Sequence, residues 1–250
     1  MQVCVINLDR SPERMAAFSQ VNAHLGEVVR YSAVDGRALD LAALVAARLV
    51  APDIHKTYTQ GAVGCAMSHI ALWKQAIASG QTLTIAEDDA IFHGQFRRYA
   101  AGVIENLPPD WDIILWGWNF DLFLSLDLLP GVTTCLAQFE QAKSRSGIRV
   151  FQERELRPQP IKLRWAFGTP CYSITAKGAR RIVDKCLPLK PLVIPFLEGL
   201  RAEPRLPYFR AVGIDVTMSS IYRELNAFAC FPPLVITRND IGSSTIAPTR

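Results

Sequence analysis

A chain of 250 residues, half of them hydrophobic and a fifth charged, with 15 glycines and 16 prolines, is long enough to bury one large core. Its composition excludes disordered and fibrous classes. Twenty-seven Lys and Arg against 23 Asp and Glu leave a formal charge of +4; this mild balance admits anionic small ligands and calls for no nucleic acid.

The six cysteines, Cys4, Cys65, Cys135, Cys171, Cys186 and Cys230, show no Cys-x-x-Cys spacing and no metal-type pairing with the four histidines, as expected of reduced thiols in a cytoplasmic protein. No basic segment followed by an apolar one opens the chain. The greasiest region, residues 113–132, is cut by Asn119, Asp121, Asp127 and Pro130, so nothing approaches the roughly 20 apolar residues that span a bilayer.

In chain order, residues 2–8 read as a strand that breaks into a polar turn. Ser11 followed by Pro12 reads as the N-cap and first position of a helix running to about residue 24. Such a strand, turn and helix start can face a nucleotide, with Arg10 and Arg14 placed to meet phosphate; an ordinary βα unit with surface arginines explains the same residues. Residues 28–34 form a second strand closed by Asp35-Gly36, a turn that holds a ribose hydroxyl or simply reverses the chain. An alanine-rich helix over 39–49 and a loop over 51–60 lead to residues 61–77, whose apolar positions follow helical spacing. Gly61, Gly64 and Ala66 let the first turns of this central helix approach another backbone or a ligand closely. His69 on the same helix is either a hydrogen-bonded structural residue or a residue near the site.

The next strand ends in three consecutive carboxylates, Glu87, Asp88 and Asp89. Adjacent carboxylates repel and lose hydration, so a shared cation is expected there, at the kind of strand end where open α/β sheets bind ligands. The bland alternative is a solvated acidic turn. Residues 94–106 read as a helix, and 112–117 as a strand covered on both faces. Residues 118–126 are core or a packed loop, unless Trp118 and Phe120 are exposed as a platform for a sugar face or a membrane. Residues at about 138–165, mixed in charge with Pro158 and Pro160, read as an irregular insertion or mobile loop beside the site. A strand over 166–175 and a helix over 176–185 follow. Asp215 opens a further helical stretch, as a cap or as a general base. After a strand over 227–231, a tail from about 232, polar over 239–246, folds over a ligand or stays loose. All of this fits one domain over residues 1–250.

The segments Val5-Ile-Asn-Leu-Asp-Arg-Ser-Pro-Glu-Arg14, Gly61-x-x-Gly-Cys-x-x-Ser-His69-x-x-Leu-Trp73, Ile85-x-Glu-Asp-Asp89, Gly168-Thr-x-x-Tyr172-x-Ile174 and Ile214-Asp215 occur in the order of the successive signatures of glycosyltransferase family 25. This resemblance runs from about Val3 to Asp215, with a weaker echo at residues 243–246. The family includes lipooligosaccharide β-galactosyltransferases and collagen galactosyltransferases. The resemblance implies a GT-A type fold, a Rossmann-like αβα sandwich with a mixed, mostly parallel sheet, and inverting transfer from a UDP-sugar, often UDP-galactose, to a hydroxyl of a cell-surface glycan or glycolipid.

Glu87, Asp88 and Asp89 resemble the Asp-x-Asp signature of such enzymes, with Glu at the first position. By that analogy Asp89 is the first ligand of Mn²⁺ or Mg²⁺, and Glu87 or Asp88 the second contact. Asp215 is the expected general base and Asp88 the reserve. Asn7, Arg14 and Asp35 are candidates for the nucleotide edge, and His69 for a place beside it. Work at the inner face of the membrane, with peripheral contact to a lipid-linked acceptor, suits this reading. Another nucleotide-sugar-processing enzyme, or a non-catalytic glycan- or partner-binding member of the fold, are the alternatives.

Overall fold

The strand Val3–Asn7 (β1) is buried along its whole length because its alternate side chains enter two cores, Cys4 and Ile6 one, Val3 and Val5 the other. A strand covered on each face has no polar side to show, which explains the unbroken apolar run. The computed structural model describes residues 1–195 and 208–238. After β1 come α1 (Pro12–Val21), β2 (Val29–Ser32), α2 (Leu41–Ala46), α3 (Gln60–Ser79), β3 (Leu83–Glu87), β4 (Ala90–Phe92), α4 (Phe96–Glu105) and β5 (Ile113–Gly117). The second half contains β6 (Leu124–Leu129), β7 (Thr133–Ala137), α5 (Gln141–Ser146), α6 (Ile148–Glu153), β8 (Gln159–Trp165), β9 (Cys171–Ile174) and α7 (Ala176–Cys186). It closes with β10 (Val193–Pro195), β11 (Tyr208–Arg210), α8 (Ile214–Ser219), β12 (Ala227–Phe231) and β13 (Val235–Thr237).

Nine strands form the central sheet in the order β2-β1-β3-β9-β5-β12-β8-β6-β7. β1 runs parallel to β2 and β3, and β5 to β12. The other neighbours are antiparallel. The chain is therefore α/β with a mixed, Rossmann-like sheet flanked by helices, as expected, but antiparallel pairs outnumber the parallel ones that were expected to dominate. Two local causes are visible. The short link between β6 and β7 permits only an antiparallel hairpin, and β9 is inserted against the direction of both β3 and β5. Residues of α3, α7 and α8 fill the core on one face, while Phe18 of α1 and Phe96, Ala100 and Val103 of α4 fill the other.

One expectation changes, and two open alternatives narrow. Residues 138–165 are ordered as α5, α6 and β8, and β8 is a central strand between β12 and β6. Its signal is the alternation Ile161, Leu163, Trp165 with Lys162 and Arg164, hidden by Pro160, which pairs opposite Cys230 near the strand's start. Trp118 is no exposed platform: it is 0% exposed and packs among Phe120, Phe139 and Phe231. The tail is tied down as far as β13, which pairs antiparallel with β4; residues 239–246 lie outside the described residues. All six cysteines are free.

The helix α3 begins where the Thr59 hydroxyl accepts from the Ala62 amide at 3.1 Å and ends at Gly80, whose φ of 70° suits glycine. Its glycine-containing face meets the loop after β2. A methyl on Gly64 would lie 2.6 Å from the Gly36 nitrogen and the Val34 oxygen. Ser68 Oγ accepts from the Val34 amide at 2.9 Å and donates to the Gly64 carbonyl at 2.9 Å. Alanine normally stabilises a helix interior relative to glycine, so the sign of two substitutions tests this contact. Gly64→Ala should lower the unfolding free energy by about 1–3 kcal/mol through overpacking. Gly102→Ala in α4, whose methyl would meet nothing within 4 Å, should raise it by up to ~1 kcal/mol. Denaturant unfolding of both variants checks this, and a stabilising Gly64→Ala would contradict the close approach.

Candidate active site

The register of the sheet assembles the site. β1 and β3 are parallel with Ile6 beside Glu87, so their carboxyl ends share one edge of the sheet. β9 starts at that edge, and the Glu87 amide donates to the Pro170 carbonyl at 3.0 Å. Side chains alternate along β3, so Leu83, Ile85 and Glu87 face the α3 side, and Leu83 and Ile85 lie in the core there. A turn then carries Asp88 and Asp89 into β4. The cleft beyond these strand ends holds about 310 Å³ and is lined by all three carboxylates, Arg10, Arg14 and Asp215, with Asn119, Gly168, Thr169 and Thr237 around them.

Each carboxylate of the triplet is accommodated differently. Asp88 Oδ2 accepts from Asn7 Nδ2 at 2.7 Å, and Oδ1 accepts from Arg14 Nε at 2.8 Å and from the Arg14 Nη2. The hydrogen bond to Asp88 holds the Arg14 guanidinium above its ordinary pKa. Glu87 Oε1 accepts from Thr169 Oγ1 at 2.6 Å and faces His69 Nε2 at 3.7 Å, a distance for electrostatic attraction but too long for a hydrogen bond. Burial pushes Glu87 up, yet His69, Thr169 and Arg14 together outweigh it and hold the carboxyl below the usual range. Asp89 has a buried Oδ1 with no hydrogen-bond partner. Burial, with the charges of Glu87 and Asp88, pushes its pKa up to about 7, against partial relief from Arg14 and a hydrogen bond with Thr237.

Asp215 sits in the first turn of α8, where its Oδ2 accepts from the Gly168 amide at 2.8 Å. Burial raises its pKa, and the Gly168 and Val216 amides offset part of that rise. Tyr58, one residue before the cap of α3, steadies the approach to Asp215 by donating to the Gly213 carbonyl at 2.8 Å and meeting Thr217 Oγ1 at 2.7 Å.

The structure thus brings Glu87, Asp88, Asp89, Arg14 and Asp215 into one cleft. Asn7, expected at the nucleotide edge, is 1% exposed; its amide binds Asp88 and the Ser11 carbonyl, and its oxygen accepts from Arg30. Ser11 stands at the N-cap but makes no side-chain cap bond. Asp35 lies at the rim: it accepts from Arg10 Nε at 2.8 Å and from the Arg37 amide at 3.0 Å, and these two partners, the amide first, lower its pKa. His69 is buried behind Glu87. Thr169, Asn119 and Thr237 were not singled out from sequence. Thr169 falls inside the Gly168-Thr-x-x-Tyr172 segment, but a lone threonine before a strand carries no sign of which carboxylate it meets.

Over residues 1–195 the sequence matches the family profile described as "Glycosyltransferase family 25 (LPS biosynthesis protein)". The chain belongs to glycosyltransferase family 25. Among curated relatives, "Procollagen galactosyltransferase 2" of Mus musculus is 31% identical over 250 residues, covering 94% of this chain and 34% of that protein. A "Glycosyltransferase 25 family member" of Aedes aegypti is 31% identical over 125 residues, 46% of this chain and 21% of that one. A "Probable inactive glycosyltransferase 25 family member 3" of Rattus norvegicus is 32% identical over 145 residues, 52% of this chain and 25% of that one. This family 25 chain therefore spans about a fifth to a third of the length of these relatives.

Among the described residues, no group of three or more His, Cys, Asp or Glu is arranged as a ready metal cage. The cleft offers instead Asp89, with its unpartnered oxygen, and Glu87, whose two contacts both fall on Oε1. One or two carboxylates are what a hard divalent cation needs when water and substrate phosphate supply its other ligands, so the donor set fits such an ion.

The raised Asp89 pKa has a thermodynamic consequence. With a folded value of about 7 against an ordinary 3.8, the folded state keeps a proton that the unfolded chain releases. Stability is therefore lost as pH rises from about 4 through about 7. In chelator, Asp89→Asn should melt above the wild type at pH 8 and converge with it near pH 4. Thermal unfolding across that range checks the sign, and identical pH slopes for the two proteins would refute it.

Proposed function

We propose that this chain is the donor-binding and catalytic unit of an inverting, metal-dependent glycosyltransferase, moving galactose from UDP-galactose to a hydroxyl of a cell-surface glycan such as lipooligosaccharide. The observation that carries the reading is one cleft whose lining brings together an unpartnered carboxylate oxygen on Asp89, the guanidinium groups of Arg10 and Arg14, and the half-buried carboxylate Asp215. The family's description and the name of the murine relative support the acceptor and donor classes.

In this reading Arg10 and Arg14 face the diphosphate of the donor. Asp89 and Glu87 hold Mn²⁺ or Mg²⁺, which when bound neutralises charge on the departing diphosphate. Asp215 takes the proton of the acceptor hydroxyl as its oxygen bonds to the anomeric carbon and the bond from that carbon to UDP breaks on the opposite face, inverting the configuration. Burial raises the Asp215 pKa, which strengthens it as a base, and the Gly168 amide orients it. Asp88 suits that role less well, since both its oxygens are engaged by Asn7 and Arg14. No helix among the described residues is long and apolar enough to cross a membrane; action at the inner membrane face belongs to the proposal.

A relative named as probably inactive supports a second reading, a non-catalytic ligand-binding member, and one experiment separates the two. With UDP-galactose, Mn²⁺ and a lipooligosaccharide acceptor, the wild type should release UDP and form a new glycoside. Asp215→Asn should lower kcat by about 10²- to 10⁴-fold, the usual loss of a general base, with UDP affinity by calorimetry unchanged to within about threefold. UDP binding without glycoside formation would favour the non-catalytic reading. UDP release without acceptor would favour a hydrolase.

A further inference from the structure

His69 has no exposed surface and is not part of the cleft lining, so it does not touch a ligand there. It ends a chain of polar contacts on α3 and β9. The Trp73 indole, which can only donate, gives its Nε1–H to the Tyr172 oxygen at 2.8 Å. The Tyr172 oxygen lies 2.8 Å from His69 Nδ1, and Tyr172 is fully buried. Of its two partners only the imidazole can accept, so the phenol hydrogen goes to Nδ1. The imidazole proton then resides on Nε2, the nitrogen facing Glu87 Oε1 at 3.7 Å. Nε2 makes no hydrogen bond, and the Glu87 carboxylate is the charged group it faces. The ring itself is held by stacking on Tyr172, with centroids 5.7 Å apart and planes at 24°, and by its contact with Trp73.

We infer that His69 is a positioning residue for the donor site: it presents an Nε2–H to Glu87 Oε1 from behind the sheet edge, in a tautomer set by Tyr172 and Trp73. Together with Thr169 it grips one oxygen of Glu87 and so leaves the other for the cleft. The placement explains why a fully buried position on an apolar helix carries a histidine, since an apolar side chain there would leave that oxygen with Thr169 alone. The consequence for donor binding rests on the proposed function; the hydrogen bonds among Trp73, Tyr172 and His69, and the ring orientation they set, do not.

Two measurements test it. In protein labelled with ¹⁵N-histidine, two-bond ¹H–¹⁵N spectra at pH 7 report which ring nitrogen carries the proton. With four histidines in the chain, the spectrum of His69→Gln assigns the His69 signals by their absence. A proton on Nε2 with Nδ1 accepting from Tyr172, altered in Tyr172→Phe, is expected; a proton on Nδ1 overturns the inference. Calorimetry with UDP and Mn²⁺ gives the second readout. His69→Leu should weaken UDP binding by about three- to tenfold, up to the scale of one polar contact with a charged group, the 3.7 Å approach being longer than a hydrogen bond. Glu87→Gln should weaken it comparably, the double variant no further, and His69→Gln, which restores an N–H, should recover most of the affinity. Unchanged affinity in folded His69→Leu, or full additivity with Glu87→Gln, overturns the inference. If His69→Leu does not fold, Tyr172→Phe takes its place in the same cycle. If the wild type binds neither UDP nor Mn²⁺, the donor-site reading has failed, and the tautomer decides the positioning role by itself.

Discussion

Three successive carboxylates at the end of one buried strand repel one another, and the cleft is built around their separate accommodation. Two like charges about 4 Å apart repel by roughly 4 kcal/mol at an effective dielectric of 20, so not all three can stay charged and unpaired. Asp88 is neutralised by Arg14 and oriented by Asn7. Glu87 is held by Thr169 and faces His69. Asp89, left with a bare oxygen, is the one whose pKa climbs to about 7. A proton can complete it, and under the proposed function a cation takes the proton's place.

A single helix links the walls of the cleft. Through Gly64 and Ser68, α3 grips the loop after β2. Through Tyr58, just before its cap, it reaches the backbone that carries Asp215. Through His69 it backs Glu87. Because α3 is buried along most of its length against the sheet, these contacts share one rigid support. A site built on such elements keeps its geometry better than one built on loops alone. Of the small residues near its start, Gly64 is explained by close backbone approach, while Gly61 and Ala62 line the cleft.

The elements with unbroken patterns were legible: β1, β3, β5 and β9 lie within the stretches read as strands, and α3 (Gln60–Ser79) overruns the helix read over 61–77 by one residue at its start and two at its end. The failures have identifiable causes. Pro158, Pro160 and mixed charge masked β8, although Ile161, Leu163 and Trp165 alternate as a strand should, because proline in a run lowers its strand signal regardless of where it sits in the ladder. Trp118 was read as core with an exposed platform as the alternative, since a large aromatic side chain suits either place; Phe139 and Phe231, distant in sequence, decide that it is buried. Sheet direction failed for a similar reason, because the insertion of β9 between β3 and β5 leaves no mark on any one strand.

By itself the sequence determined the α/β class, the family, and the presence of an acidic strand end, since these depend on residue type and on periods within a few positions. Tertiary structure alone decided which carboxylate is paired, which is braced and which is left open. Asn7 and Arg14 reach Asp88 across 81 and 74 residues, Thr169 reaches Glu87 across 82, and Gly168 reaches Asp215 across 47. In sequence Glu87, Asp88 and Asp89 are almost equivalent acids. What separates them is the partner each finds once the sheet has formed, because desolvation and charge pairing act through distances in space that local sequence does not encode.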